Sequence, residues 1–204
     1  DPRSYQEHAT EMVGPFMMFT RAELEEAATL VAQHMAPTPQ YAWPQLKARL
    51  GCKTWVKHEN HGPTGAFKVR GAANAVFGLN EDQAKRGVAT HSSGNHASCL
   101  SYAAMLRGIP CNVVMPHSAP QAKKDTVRRY GGKITECEPS TSSREEVFAR
   151  VQAETGGEFV HPYNDPRVIA GQGTCSREMM AKTAAMGVKS SVEQAYLIHM
   201  TNVF

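Results

Sequence analysis

The sequence predicts an α/β fold with an open, mostly parallel sheet and helices on both faces. Between residues 87 and 165, short segments typical of buried strands alternate with helical stretches. These stretches run to roughly 10–15 residues, and a helix of that length is the usual crossover between parallel strands. The chain has 204 residues, of which 41% are hydrophobic, so it can bury a core without disulfides or metal ions.

Local signals place the elements in order. Thr20-Arg21-Ala22-Glu23 is a capping box that opens a helix, and Ser142 with Glu145 predicts another helix start. The predicted elements are a helix from Thr20 ending before Pro37, a strand at 53–57, a helix at about 67–79, a strand at 87–91, a helix at 95–107, a strand at 111–115, a helix at 120–130, a strand at 133–137, a helix to about 154, a strand at 158–160 and a helical stretch from Asp165. Further on, residues 176–186 favour a separate helix, and residues 196–200 fit either a strand or a helix.

Composition and charge exclude several classes of function. No apolar run approaches the roughly 20 residues that span a bilayer, so we expect no membrane partner. The net charge of +3 is too small for an electrostatic nucleic-acid binder. Five widely spaced cysteines without a C-x-x-C pair are typical of free thiols in a reducing compartment. Because no signal peptide is visible either, we expect a cytoplasmic protein. No histidine, cysteine or carboxylate spacing supports a metal site.

The first chemical motif is TGAFKVRGA at residues 64–72, where Lys68 follows a glycine- and proline-rich turn at the start of a predicted helix. Glycines let the backbone approach a ligand closely, and helix N-termini favour anions. A lysine amine that loses water there has a lower pKa and becomes nucleophilic toward carbonyl groups. The alternative interpretation is an ordinary solvated lysine on a helix surface.

The second motif is HSSGNHA at residues 91–97, between a predicted strand and a predicted helix. Small polar residues at the carboxyl end of a parallel strand, leading into a helix N-terminus, suit a carboxylate or phosphate ligand. The alternative interpretation is a plain helix cap, with Ser92 or Ser93 as the capping residue.

Together the two motifs resemble the fold-type II family of pyridoxal-phosphate enzymes, in particular its serine/threonine dehydratase and serine racemase branch. Further segments that carry the resemblance lie at 37–39, 57–60, 114–116, 161–165 and 170–174. The resemblance implies two interleaved lobes. Residues 1–73 would form the first part of a large lobe, 74–154 the small lobe, and 155–204 a return to the large lobe with a divergent tail after Thr174.

The resemblance also implies roles for individual residues. The cofactor would be pyridoxal 5′-phosphate, held covalently by Lys68, which would also take the Cα proton of the substrate. Phe67 would pack on the cofactor ring, and Asn95 would hydrogen-bond its 3-hydroxyl group. Ser93 would be the acid or base on the opposite face. The substrate carboxylate would be bound by Ser92, Gly94, Asn95 and His96.

The implied activity is deamination of L-threonine, L-serine or a related 3-hydroxy amino acid to a 2-oxo acid and ammonia. One alternative is an amino-acid racemase, such as a serine racemase, and another is an inactive truncated remnant or binding module. The sequence contains no run of glycines like the family's phosphate-binding loop. We therefore expect weak cofactor binding or none, an incomplete large lobe with exposed apolar surface, and association into a homodimer.

Overall fold

A computed structural model describes residues 19–185 of the chain. Its helices are α1 (Arg21–Ala32), α2 (Pro44–Leu50), α3 (Lys68–Phe77), α4 (Glu81–Arg86), α5 (Asn95–Arg107), α6 (Gln121–Arg129), α7 (Thr141–Thr155) and α8 (Pro166–Ala185). Its strands are β1 (Gln40–Ala42), β2 (Trp55–Lys57), β3 (Val88–His91), β4 (Cys111–Pro116), β5 (Lys133–Cys137) and β6 (Glu158–Phe159). A 3₁₀ turn spans Glu59–His61.

The central sheet has four parallel strands in the order β5-β4-β3-β6, so the predicted mostly parallel α/β fold is confirmed. Val88 lies opposite Cys111 on one side and Glu158 on the other. Strands β1 and β2 form a separate antiparallel pair. Because the central strands run in one direction, the loops after β3 and β6 emerge at the same edge of the sheet, where α/β proteins bind ligands.

Helices cover both faces of the central sheet, as the sequence predicts. Alternate strand residues point to opposite faces because side chains in a strand repeat every second residue. On one face Val88, Val113 and Met115 join a core with residues of α3, α5 and α6. On the other face Ala89 and Val114 pack with Phe148 and Val151 of α7.

Helices α3 and α8 cross with their backbones in contact. A Cβ added at Gly171 would lie 2.6 Å from the Cα of Gly71, and one added at Gly71 would lie 2.8 Å from the carbonyl oxygen of Val168. Glycine is therefore required on both sides of the crossing. Helix α8 runs without a break from Pro166 to Ala185, so the separate helix predicted at 176–186 is the second half of a longer one.

Several local predictions were wrong or incomplete. Ser140, rather than Ser142, caps α7, since its Oγ accepts a hydrogen bond of 3.2 Å from the amide of Ser143. The short elements β1, α2 and α4 were missed, although Asn80 and Gln83 form a complete capping box at the start of α4. Residues 196–200 lie outside the described part of the chain, and the boundaries of the two lobes stay a prediction.

Within residues 19–185, none of the helices is both long enough and apolar enough to cross a membrane.

Candidate active site

Lys68 lies where the first turn of α3 meets the segment that follows β6. The turn before it contains Gly65, whose φ of +69° is readily adopted only by glycine. The Nζ of Lys68 donates a hydrogen bond of 2.9 Å to the carbonyl oxygen of Pro162. The same Nζ lies 5.3 Å from the centre of the Phe67 ring. The structure thus places Lys68 and Phe67 side by side, as the sequence predicts.

The environment of Lys68 favours its neutral amine. The side chain is half-buried, and this loss of hydration lowers its pKa. Cys99 belongs to α5, and its Sγ lies 3.1 Å from the Oγ1 of Thr64 in the lysine motif. This contact connects the lysine motif with α5, the helix that begins within the second motif. A lysine with a lowered pKa at a ligand-accessible position is a candidate nucleophile and general base.

The second motif forms the loop from β3 into α5. The amide of Ser92 donates to the carbonyl oxygen of Val114, and the amide of Gly94 donates to the Oγ of Ser92. Gly94 is the N-cap of α5 and, as a glycine, provides no side chain to cap the first amides of this helix. A Cβ added at Gly94 would meet no atom within 4 Å, so space is open beside the first amides of α5. This is a geometry that suits a carboxylate.

Asn95, the first residue of α5, has a partner that the sequence analysis missed. Its Oδ1 accepts a hydrogen bond of 2.7 Å from the Nζ of Lys123, which lies in the first turn of α6. The Nδ2 amide of Asn95 therefore remains the donor for a ligand. Lys123 adds a cation at the carboxyl edge of the sheet. Its place just after β4 was the signal that could have identified it, because the first turns after parallel strands border the same crevice.

His96 is buried and neutral. Its Nε2 lies 3.1 Å from the carbonyl oxygen of Val160, so Nε2 is the protonated nitrogen. Burial lowers the pKa of His96 to about 4. Its Nδ1 is buried and has no hydrogen-bond partner among the described residues. Lys68 and His96 thus bind two carbonyl groups of one short segment, those of Pro162 and Val160.

The structure brings several of the predicted site residues together. Lys68, Phe67, Asn95 and His96 lie around the segment after β6 and the start of α5. Ser93 is exposed on the loop, and its side chain makes no hydrogen bond with another residue in the described part of the chain. Its assignment as the opposite-face acid or base stays a prediction.

Arg144 of α7 was missed by the sequence analysis. Burial lowers the pKa of both His91 and His161, and the charge of Arg144 lowers it further in each. These histidines flank the two halves of the site, since His91 precedes Ser92 and His161 precedes Pro162. The Nε of Arg144 is buried without a hydrogen-bond partner among residues 19–185. A buried unpaired guanidinium N–H near the two histidines that adjoin the site is a candidate anion contact.

No group of three or more histidine, cysteine or acidic residues within residues 19–185 could hold a metal ion.

Comparison with known proteins identifies the family. The family model described as pyridoxal-phosphate dependent enzyme matches residues 31–193, which extends past Thr174, where we expected the resemblance to end. The β-hydroxyaspartate dehydratase of Paracoccus denitrificans is 68% identical over 161 residues, which cover 79% of this chain and 51% of that protein.

Solved structures agree with this assignment. Maize serine racemase has a TM-score of 0.78 and 42% identity, over 80% of this chain and 50% of that one. The threonine deaminase of T.th. has a TM-score of 0.78 and 37% identity, over 84% of this chain and 54% of that one. The chain spans about half the length of the relatives it matches. It belongs to the pyridoxal-phosphate dependent enzymes of fold type II, in the branch of the serine/threonine dehydratases and serine racemases.

Proposed function

We propose that this chain carries the cofactor lysine and the substrate-carboxylate loop of a dehydratase that converts a 3-hydroxy amino acid to a 2-oxo acid and ammonia. The observation that carries the proposal is the position of Lys68. Its half-buried amine, with a lowered pKa, lies beside the open start of α5, and the Thr64–Cys99 contact connects the lysine motif with that helix.

The residues present fit pyridoxal 5′-phosphate, the cofactor of this family. The site offers an amine that can attack an aldehyde, an aromatic ring beside it, and the buried unpaired Nδ1 of His96. Lys68 would hold the cofactor, with Phe67 against its ring and the Nδ2 of Asn95 as donor to its 3-hydroxyl group. When bound, the cofactor supplies an electron-accepting ring that stabilises negative charge at the substrate Cα.

Lys68 is also the group that handles the proton. Because burial lowers the pKa of its Nζ, a larger fraction of the amine is neutral near pH 7 than in an exposed lysine. The neutral amine takes the Cα proton of the substrate. Loss of the β-hydroxyl group as water then follows, and hydrolysis of the product gives the 2-oxo acid and ammonia.

The loop from Ser92 to His96 binds the substrate carboxylate. The first amides of α5 point toward open space at Gly94, and the partial positive charge of a helix N-terminus favours an anion there. The Lys123 ammonium, fixed on the Oδ1 of Asn95, adds to this attraction. His96 holds the segment after β6 through the carbonyl oxygen of Val160, which keeps the acceptor of Lys68 in place.

The substrate that we favour is β-hydroxyaspartate, which has a second carboxylate. The similar Paracoccus protein is named for this amino acid. Arg144 supports the choice independently, because its Nε is buried and unpaired among the described residues and its charge acts on His91 and His161 at the rim of the site. A second carboxylate at this rim would pair with Arg144. L-Serine and L-threonine lack that group.

A serine racemase is the second candidate. It is favoured by the position of Ser93, which is exposed on the carboxylate loop beside Gly94, where a proton donor could face the substrate. The third possibility is a remnant or binding module without turnover.

One assay distinguishes the three. The full chain is incubated with excess pyridoxal 5′-phosphate and β-hydroxyaspartate, L-serine or L-threonine, and 2-oxo acid, ammonia and D-amino acid are measured. We expect 2-oxo acid and ammonia in equal amounts, most rapidly from β-hydroxyaspartate, and no product with Lys68→Ala. D-serine without 2-oxo acid would support the racemase. Cofactor bound at Lys68 without any turnover would support the remnant.

A further inference from the structure

Arg70, two residues after Lys68, lies at the centre of a buried ionic cluster. We define this cluster as Lys57, Glu59, Arg70 and Glu178. Arg70 is fully buried. Its guanidinium donates to both carboxylate oxygens of Glu59, at 2.7 and 2.9 Å, and to both of Glu178, also at 2.7 and 2.9 Å. Two bidentate contacts on one guanidinium use the full geometry of arginine.

The ionic cluster is balanced in charge. Lys57 is also buried, and its Nζ lies 2.8 Å from Oε2 of Glu178, so two cations face two carboxylates. Burial raises the pKa of Glu178, but its hydrogen bonds to Arg70 and Lys57 outweigh this and hold the pKa below its usual range. Burial likewise raises the pKa of Glu59, and the hydrogen bonds and charge of Arg70 outweigh this, so that the pKa of Glu59 is also lowered. Both carboxylates are therefore ionised at neutral pH.

The geometry connects this cluster with Lys68. Residues two apart in a helix are separated by roughly 200°, so Lys68 and Arg70 project from opposite sides of the first turn of α3. Lys68 reaches forward to Pro162, and Arg70 reaches back to Glu59 and to Glu178 of α8. The first turn is thus fixed from behind.

We infer that Glu178 is a positioning residue for Lys68: through Arg70 it sets the place of the first turn of α3 and hence the depth at which the Lys68 amine lies. The inference rests on the proposed function of Lys68. It extends the site to the second half of α8, beyond the motif that ends at Thr174. The contact between Gly71, the residue after Arg70, and Gly171 also holds these two helices together.

The test measures the pH dependence of the Lys68 amine in the full chain with Glu178→Gln. The probe is reductive methylation with formaldehyde and cyanoborohydride, quantified at Lys68 by peptide mass spectrometry. If the first turn loosens, the amine gains water and its pKa moves up toward the ordinary lysine value of about 10.4. We expect the midpoint of Lys68 labelling to rise by about 0.5–1 pH unit, which slows labelling near pH 8 about 3- to 10-fold.

The control is Glu25→Gln, which removes the exposed ion pair between α1 and Arg177 of α8 and leaves Arg70 untouched. We expect no shift there. If Glu178→Gln does not fold, the same profile is measured on Lys57→Met combined with Glu178→Gln, which restores the charge balance but not the Arg70–Glu178 bonds. A folded variant whose Lys68 midpoint equals that of the wild type would overturn the inference.

Because formaldehyde needs neither cofactor nor turnover, this result is independent of the proposed reaction. A shifted Lys68 midpoint in a chain that binds no pyridoxal 5′-phosphate would support the positioning role and count against the proposed function. An unshifted midpoint in a chain that takes up the cofactor at Lys68 would count against the positioning role and support the proposed function.

Discussion

The two sides of the first turn of α3 differ in how their polar groups are satisfied. Behind the turn, every charged group of the ionic cluster has a partner, and the Arg70 guanidinium makes four close contacts with carboxylate oxygens. In front, the buried Nδ1 of His96 and Nε of Arg144 have no partner among the described residues. Gln40, Trp55 and Gln172 also carry buried polar atoms without a partner among the described residues. Those of His96 and Arg144 belong to residues near Lys68 and the 92–96 loop, which makes them candidate contacts for a ligand.

The largest loss of stability is expected from removing Arg70, the centre of the ionic cluster. Arg70→Met leaves the carboxylates of Glu59 and Glu178 in the interior with only Lys57 as a cation. Removing one partner of a buried ionic arrangement costs about 3–5 kcal/mol, so the free energy of unfolding in urea should fall by that amount. Arg177→Met, which breaks an exposed pair with Glu25, should cost less than about 1 kcal/mol. Equal losses in both variants would refute the contrast between buried and surface pairs.

The next effect is a loss of stability at low pH that comes from His96, on the Lys68 side of the turn. The pKa of His96 is lowered to about 4 in the folded chain, against about 6.5 when unfolded. Between these values the unfolded chain binds more protons, so stability is complete above about pH 6.5 and falls as the pH drops toward 4, by roughly 3 kcal/mol.

The measurement compares urea unfolding of the wild type and His96→Gln across this pH range. The glutamine amide can still donate to the carbonyl oxygen of Val160 but does not titrate. The wild type should lose more stability than the variant between pH 6.5 and 4. Parallel curves would show that His96 is not the titrating group.

A glycine-to-alanine substitution can be made on each side of the first turn of α3, at Gly171 behind it and at Gly94 on the side of Lys68. A Cβ at Gly171 would lie 2.6 Å from the Cα of Gly71, so Gly171→Ala forces α3 and α8 apart. We expect a loss of about 1–3 kcal/mol, as is typical of overpacking. Gly94→Ala places its Cβ in open space at an extended φ of −120°, so its unfolding free energy should stay within about 0.5 kcal/mol of the wild type. A larger loss of unfolding free energy in Gly94→Ala would mean that the space beside the start of α5 is not open.

The last effect concerns substrate specificity and leaves stability unchanged. Arg144→Gln removes the cation that we assign to the second carboxylate. A hydrogen bond to a charged group contributes about 1.5–3 kcal/mol, so kcat/KM for β-hydroxyaspartate should fall roughly 10- to 150-fold. The value for L-serine should change little, which makes L-serine the internal control. Equal losses for both substrates would remove Arg144 from the substrate site and leave it a structural role.

The contrast between the two sides also separates what the sequence predicts from what it does not. Lys68 and the 92–96 loop are marked by local signals, namely glycines and polar residues at the junctions of strands and helices, and these junctions lie where the sequence places them. Arg70 bonds to Glu178 across 108 positions of the chain, and Lys123 bonds to Asn95 across 28. Local pattern carries no information about such pairs, since they exist only once the helices pack.

The fold shows the same division. The parallel sheet and the helices of the central segment follow from periodicity and turn residues. Of the three-residue strands, β2 was predicted and β1 was missed, because segments of this length carry too little pattern for a reliable prediction. The separate helix predicted at 176–186 was wrong, because α8 continues through Thr174, where Gly171 and Arg70 make tertiary contacts that local pattern does not show.

The most direct test of the central claim is to trap pyridoxal 5′-phosphate on the chain with borohydride and to map the modified peptide. Excess cofactor makes the test independent of how tightly the chain binds it. If Lys68 carries the reactive amine, it should be modified first and most extensively, ahead of the exposed lysines. The Lys68→Ala variant should lose that adduct. Modification spread over exposed lysines, with no preference for Lys68, would contradict the account.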